Sequence, residues 1–234
     1  MRLVVALTCF LAGCLAQRPH PCKSPSLLSG AITVVSKYMC IMTKHNYKTL
    51  TACLQSTQNE KLLVYVQYLY DAIGQRIRLW EQGSYDNKTF IADYLLHYRE
   101  SAVYNINDFN HTCEKLPLEA DFQPLGIPPG ASLVGQAVLG SSSGPGEGLL
   151  INIWTGDLPE KAGKFLSTVT EFGCIPVSTL FHTDQYGWVV ISFLNNIVGI
   201  SDPSLLNPPN FCPQAEVDPQ REPQDFLSLF LKTK

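Results

Sequence analysis

Hydrophobic and polar residues alternate in many short segments of the chain, a pattern typical of β-strands that bury one face. Between Lys61 and Tyr70, every second residue is apolar or aromatic: Leu62, Val64, Val66, Tyr68 and Tyr70. Asp71 to Gly74 has the composition of a turn, and Gln75 to Glu81 alternates again. These segments predict a β-hairpin.

The rest of the chain continues in the same way, with glycine-, proline- and asparagine-rich turns between short strands. The further predicted strands are Phe90 to Tyr98, Ala102 to Asn107, Ser132 to Leu139, Leu149 to Thr155, Lys164 to Phe172, Ile175 to His182 and Trp188 to Ile200. The residues thus predict a mostly β protein with a sandwich, a barrel or a strongly curved sheet.

Some strands are apolar on both faces. In the last one, Trp188, Val190 and Leu194 point one way, and Val189, Ile191 and Phe193 point the other way. Such a strand requires two cores, or one core and a cavity for an apolar ligand.

The cavity candidates are Ile151, Ile153, Val190 and Leu194, or their neighbours on the opposite face. A one-residue change of register exchanges the two faces, so the sequence leaves the choice open. A large packed core is the alternative.

Residues 1–16 have the features of a secretory signal: Arg2, an apolar run from Leu3 to Leu15, and small residues at its end. The run is too short to span a membrane. Leu11 to Cys14 also matches a bacterial lipoprotein signal, the less favoured alternative. The net charge of −3 excludes the basic footprint of a nucleic-acid-binding domain, and Asn195, Asn196 and Gly199 interrupt the best later apolar run.

Six cysteines follow the signal, and an even number in an exported chain indicates disulfides, with the pairing left open. They are Cys22, Cys40, Cys53, Cys113, Cys174 and Cys212. Asn87 and Asn110 each begin a glycosylation sequon. The protein is therefore expected to be a secreted, extracellular glycoprotein.

Motifs for catalysis are weak. Gly140 to Gly144 matches the nucleophile pattern around Ser142, but the following Pro145 and glycines forbid the helix that this motif requires. No calcium loop is complete, and the oxygen donors between Asn105 and Asn110 fit a hairpin turn better than a metal site. We expect no enzymatic activity and leave the metal ligands unassigned.

Several segments, in their order and spacing, resemble the ependymin family, and fish ependymins more than the mammalian related proteins. They are Pro21 to Pro25, Tyr70-Asp71, Arg76 to Arg78, Ile127 to Pro129, Trp154 to Glu160, Gly173 to Val177 and Pro208 to Cys212. The resemblance covers nearly all of residues 20 to 212.

The resemblance implies a calcium-binding glycoprotein involved in cell–matrix adhesion, with collagen among its partners, a homodimeric state and the lysosome as a second location. It also implies two antiparallel sheets in a curved sandwich around a deep apolar pocket for lipid or glycolipid acyl chains, similar to bacterial periplasmic lipoprotein carriers. The family pattern pairs Cys22 with Cys174 and Cys113 with Cys212.

The chain departs from this family between Lys37 and Ser56, where relatives pass almost directly from Ser36 to Thr57. We interpret this segment as a retained intron; a hairpin closed by Cys40 and Cys53 is the alternative. The expected organisation is a signal (1–16), a β domain (17–212) and a poorly ordered tail (213–234), in which Phe226, Leu229 and Phe230 could form one face of a short helix.

Two further functions remain alternatives to this interpretation. One is an extracellular lipid carrier without an adhesion role, and the other, less favoured, is a hydrolase acting through Ser142.

Overall fold

The computed structural model describes residues 18–37, 61–85, 88–158, 163–183, 187–212 and 224–231. The expected signal, most of the Lys37–Ser56 segment and Asn87 lie outside these residues. No helix in the described residues has both the length and the apolar character to cross a membrane.

Eleven strands form one antiparallel sheet. They are β1 (Leu27–Lys37), β2 (Lys61–Asp71), β3 (Arg76–Tyr85), β4 (Lys88–His97), β5 (Ala102–Asn107), β6 (Thr112–Pro117), β7 (Ser132–Gly140), β8 (Gly148–Leu158), β9 (Gly163–Thr170), β10 (Pro176–Thr183) and β11 (Gly187–Val198). The mostly β prediction is confirmed, and each predicted strand corresponds to one of these. Strands β1 and β6 were not predicted.

The strand order is β6-β5-β4-β3-β2-β1-β11-β10-β9-β8-β7. Consecutive strands therefore pair throughout each half, and the two halves join where β1 pairs with β11. The sequence-based expectation of two sheets differs from this arrangement, because hydrogen bonds between β1 and β11 make the described strands one continuous sheet.

The sheet has an inner face that forms the main core. Val34 of β1, Val64 of β2 and Ile191 of β11 lie side by side there and are almost fully buried. The short helix α1 (Phe226–Leu231) places Leu229 in the same core. This helix falls within the tail that was expected to be poorly ordered.

Two disulfides connect the halves of the sheet. Cys22, before β1, bonds to Cys174, in the turn after β9, and Cys113 of β6 bonds to Cys212, after β11. The pairing implied by the family resemblance is confirmed.

The opposite, outer face is partly covered by residues 199–212, which we call the covering segment. Leu206 of this segment packs on Leu95, Tyr104 and Ile106 of β4 and β5. The covering segment therefore buries the outer face at the β3–β6 end of the sheet, whereas the centre of that face stays exposed.

Candidate functional site

A row of apolar side chains, most of them exposed, crosses the centre of the outer face. Strand pairing aligns Leu63, Val35, Val190, Leu180 and Leu166 on β2, β1, β11, β10 and β9. Leu63 is 54% exposed, Val35 43%, Val190 38% and Leu166 37%. We call these five residues the outer stripe.

The outer stripe is long and narrow. Five adjacent strands at the usual spacing of about 4.8 Å give it a length of about 19 Å. On one side of the stripe, the positions two residues away along β1, β11, β10 and β9 all carry hydroxyl side chains. These side chains are Thr33, Ser192, Ser178 and Thr168. This hydroxyl row therefore bounds the stripe on one side over these strands.

The second side of the stripe carries basic positions. Register places Lys61, Lys37, Trp188, His182 and Lys164 in one row, which we call the lysine row. The rings of His182 and Trp188 lie 4.6 Å apart, centroid to centroid. At the far end of the row, β8 contributes an acidic position, Asp157, opposite Lys164.

A groove of about 790 Å³ opens at the β2 end of the stripe. Leu63, Tyr65 and Ile91 supply its apolar lining, and Gln82 and Ser84 supply polar groups.

Gly83 forms part of the groove wall. A Cβ atom at this position would lie 2.8 Å from the Leu63 carbonyl oxygen, so a side chain would clash with β2.

The four cavity candidates all belong to the outer face. Val190 and Leu194 are exposed, at 38% and 42%. Ile153 is half-buried and Ile151 is buried, near the β7 edge of the sheet. Only Val190 lies in the outer stripe, and the opposite-face neighbours Val189 and Ile191 belong to the packed core.

A charged network holds the covering segment against the sheet. Arg78 donates from Nε and Nη2 to Asp93 at 3.0 and 2.7 Å, and from Nη1 to the Leu205 carbonyl at 2.7 Å. His97 places Nε2 2.9 Å from the Leu206 carbonyl oxygen and Nδ1 3.0 Å from Glu100. The hydrogen bond from His97 is the main reason why the pKa of Glu100 lies below its ordinary value.

A second ion pair joins Asp71 and Arg76, in which Arg76 Nη2 lies 2.7 Å from Asp71 Oδ2. Burial acts to raise the pKa of Asp71, but the Gly74 N–H and the Arg76 guanidinium outweigh it and lower that pKa. These pairs lie toward the opposite end of β2 and β3 from the stripe, and none of their members lines the groove.

The other candidate motifs have structural positions. Asn110 is exposed in the β5–β6 turn, where its N–H donates to Asn107 Oδ1 at 3.1 Å, so the sequon is open to modification. Ser142 is exposed in the β7–β8 hairpin, and β8 follows without a helix. Within the described residues, no three His, Cys, Asp or Glu side chains gather as a metal site.

Sequence reasoning missed most of the outer stripe. The alternation in β2 correctly predicted the residues of that strand that face the core. Leu63 and Tyr65, at the intervening positions, are also apolar or aromatic, and they were the signal for an outer apolar surface.

Comparison with known proteins gives a consistent family. The family model described as Ependymin matches residues 86–212. Ependymin-1 of Oncorhynchus mykiss is 33% identical over 168 residues, covering 70% of this chain and 75% of the relative. Ependymin-2 of Carassius auratus is 28% identical, and the alignment covers 97% of this chain and 98% of the relative.

More distant similarities also exist. Mammalian ependymin-related protein 1 of Rattus norvegicus is 23% identical, over 87% of this chain and 81% of the relative. The solved structure of an uncharacterized conserved protein from Thermus thermophilus is 10% identical to this chain, with a TM-score of 0.44. The match covers 80% of this chain and 89% of that protein, and it is too weak to show a shared fold. From the family model and the salmonid relative, the chain belongs to the ependymin family.

Proposed function

We propose that this chain is a secreted, non-enzymatic ependymin that binds the acyl chain of a lipid along the outer stripe. The observation that carries the proposal is a narrow apolar row on the face opposite the main core. Val189 and Val190 illustrate it, since the first is 0% exposed in the core and the second is 38% exposed.

The shape of the stripe favours a chain-like ligand. An extended acyl chain is narrow and about as long as a row of five strands. Hydroxyl side chains border the stripe on four of its strands, β1, β11, β10 and β9. Burial contributes about 0.8 kcal/mol per methylene, so a long chain could gain on the order of 10 kcal/mol before ordering costs. Because the stripe is open to solvent, a chain lying on it realises only part of this gain.

A second copy of the chain is the competing occupant. A standard protein interface buries about 800 Å² on each partner, with an apolar centre several residues wide. The outer stripe is narrower than that, so the homodimer expected from the family resemblance is better sought elsewhere on the molecule.

The remaining parts of the function rest on other features. The two disulfides fit an oxidising, extracellular location, and exposed Asn110 fits a glycoprotein. Calcium binding, collagen contact and cell–matrix adhesion are proposed from the family resemblance alone. A calcium site would use scattered carboxylates or acidic sugars on the glycans, because hard cations require several oxygen ligands.

The test uses secreted protein and native mass spectrometry after gentle extraction. We expect co-purified lipid in the wild type and a roughly tenfold weaker affinity for added lipid in Val190→Asn. Val138→Asn is the matched control, since Val138 is 46% exposed on β7, away from the stripe. Equal lipid affinity in Val190→Asn and wild type would contradict the proposal.

A second comparison separates a carrier from an adhesion protein. A carrier should arrive with bound lipid and show no calcium-dependent attachment to collagen, whereas an adhesion protein should attach to collagen only with calcium. No attachment to collagen in the presence of calcium would exclude the adhesion role, and attachment that persists after calcium removal would exclude its calcium dependence. Enzymatic removal of the glycans, followed by calorimetry with calcium, tests whether sugars supply the ligands.

A further inference from the structure

We infer that two copies of this chain associate through β7 (Ser132–Gly140), whose free edge pairs in antiparallel fashion with the same strand of the second copy. The pairing joins the two sheets into one continuous sheet, related by a two-fold axis. Strand β7 lies at the end of the sheet, apart from the outer stripe, so the inference does not depend on lipid binding.

The position of β7 carries the first step of the argument. It is the last strand of the sheet and pairs with β8 on one side, and no other strand in the described part of the chain pairs with its second side. An edge strand directs the N–H and C=O groups of alternate residues toward its open side. Another strand can therefore bond to β7 without displacing any described strand.

The opposite edge of the sheet is protected, in contrast to β7. Strand β6 ends at Pro117 and is tied to the covering segment by the Cys113–Cys212 disulfide. Proteins use prolines, charged residues and bulges to prevent pairing at sheet edges. Strand β7 has no proline and no charged residue, and its bulge, between Leu133 and Gly135, lies at one end of the strand.

Apolar side chains on both faces of β7 carry the second step. Val134 is 59% exposed, Val138 46% and Leu139 48%. Val138 and Leu139 are neighbours in the strand, so their side chains point to opposite faces of the sheet. A strand added at this edge covers apolar surface on both faces, in addition to pairing the backbone groups.

The sequence of β7 favours a second copy as the partner. Residues at equal distances before and after Gln136 match in size and polarity. They are the pairs Gly135 and Ala137, Val134 and Val138, and Leu133 and Leu139. In an antiparallel pair with its two-fold axis at Gln136, Val134 lies opposite the partner's Val138, and Gly135 lies opposite the partner's Ala137. Small residues thus face small ones, and β-branched residues face each other, as in stable cross-strand pairs.

The symmetry also limits the assembly to two copies. A two-fold pairing occupies the β7 edge of both copies and leaves the protected β6 edge at each outer end. Pairing along one short strand is smaller than a standard interface of about 800 Å² per partner. We therefore expect a reversible dimer with a dissociation constant of roughly 1–100 μM.

Sedimentation equilibrium of the secreted protein tests the inference. We expect a monomer–dimer equilibrium in the wild type and roughly tenfold or weaker association in Val134→Lys, because the substitution brings a charge to the apolar edge. Ile73→Lys is the matched control, since Ile73 is 64% exposed in the turn between β2 and β3. Urea denaturation of both variants checks that the fold is intact.

Two double variants test the register. In Val134→Lys/Val138→Glu, the two-fold axis places each new lysine opposite a new glutamate of the other copy, so association should recover to within about threefold of the wild type. In Val134→Lys/Val138→Lys, like charges face each other, and the protein should stay monomeric.

Cross-linking tests the register independently. Facing residues of antiparallel strands have Cα atoms about 4.5–5.5 Å apart, which is within the range of a disulfide. Gln136→Cys should therefore form a linked dimer with oxidised glutathione, and peptide mapping should locate the link at residue 136 of both copies. Leu139→Cys should form no such link, because the two copies of this position lie about 20 Å apart along the strands.

Three outcomes would overturn the inference. The first is a wild type that stays monomeric, and the second is a dimer that Val134→Lys weakens no more than Ile73→Lys does. The third is a dimer that Val134→Lys weakens but that Val134→Lys/Val138→Glu does not restore and Gln136→Cys does not link. None of these positions lies in the outer stripe, so each outcome leaves the proposed lipid binding to its own test.

Discussion

Lys37 and Lys61 are Cα partners at the adjoining ends of β1 and β2, although residues 38–60 separate them in the sequence. The Lys37–Ser56 segment, interpreted as a retained intron, therefore falls almost entirely between two strands that pair directly. Joining Ser36 to Thr57 would leave a five-residue connection before Leu62, which is within the range of hairpin loops.

We expect deletion of Lys37–Ser56 to preserve the fold. Shortening the connection lowers the loop-closure cost by about 1 kcal/mol, so the unfolding midpoint in urea should stay equal or rise slightly. The full chain with Cys40→Ser/Cys53→Ser is the control. A large loss of stability on deletion, matched by the control, would instead support a genuine hairpin closed by Cys40 and Cys53.

Neighbouring valines of β11 should respond oppositely to a polar substitution. Val189 is fully buried, so Val189→Asn places an amide in the core and should cost about 3 kcal/mol of unfolding free energy. Val190→Asn should cost less than about 1 kcal/mol. Urea denaturation measures both, and equal costs would show that the outer position is also part of a packed core.

The disulfides should contribute strongly to stability. The bridged residues are 152 and 99 positions apart, and loops of this length correspond to about 4–5 kcal/mol in the chain-entropy model. We expect Cys113→Ser/Cys212→Ser to lower the unfolding free energy by up to that amount. Non-reducing peptide maps provide the direct check, and either pair found with Cys40 or Cys53 would refute the assignment.

The buried ion pair of Arg78 and Asp93 should be costly to break. Arg78→Met leaves a carboxylate buried without its partner, and we expect a loss of about 3–5 kcal/mol. The double variant Arg78→Met/Asp93→Leu should recover much of this loss, apart from the hydrogen bond to the Leu205 carbonyl. Chemical denaturation of the two variants tests the pair, and no recovery would show that the hydrogen bond to the covering segment dominates.

Asp71 predicts an acid-dependent contribution. Its pKa in the folded protein lies below the ordinary 3.8, so it stabilises the fold at higher pH, and this contribution is lost as the pH falls through the folded pKa. We expect the stability difference between wild type and Asp71→Asn to shrink between about pH 5 and about pH 2. A difference independent of pH would indicate that the carboxylate charge is unimportant.

The sequence was sufficient to predict nine strands, because alternation marks those with one buried face and turn residues bound the apolar runs, such as β11, that are apolar on both faces. Strand β1 escaped prediction since its register shifts between Ser29 and Ala31, where a Cβ on Gly30 would lie 2.9 Å from the Leu194 carbonyl oxygen. Strand β6 is short and ends at Pro117.

The outer stripe escaped prediction for a different reason. Its members come from five strands whose register is set only in three dimensions, so Leu63 and Leu166 lie at the two ends of one row without any sequence signal that connects them. The choice of face, left open by alternation, required the structure.

The strand order has a consequence for biosynthesis. Every pairing except that of β1 with β11 joins consecutive strands, so two meanders can form by local zippering as the chain emerges. The edge of β1 that faces away from β2 has no pairing strand until β11 (Gly187–Val198) has been synthesised. During that interval it offers an open row of backbone donors and acceptors to other chains. Truncations before β11 should consequently aggregate in the secretory pathway, whereas chains that contain it should not.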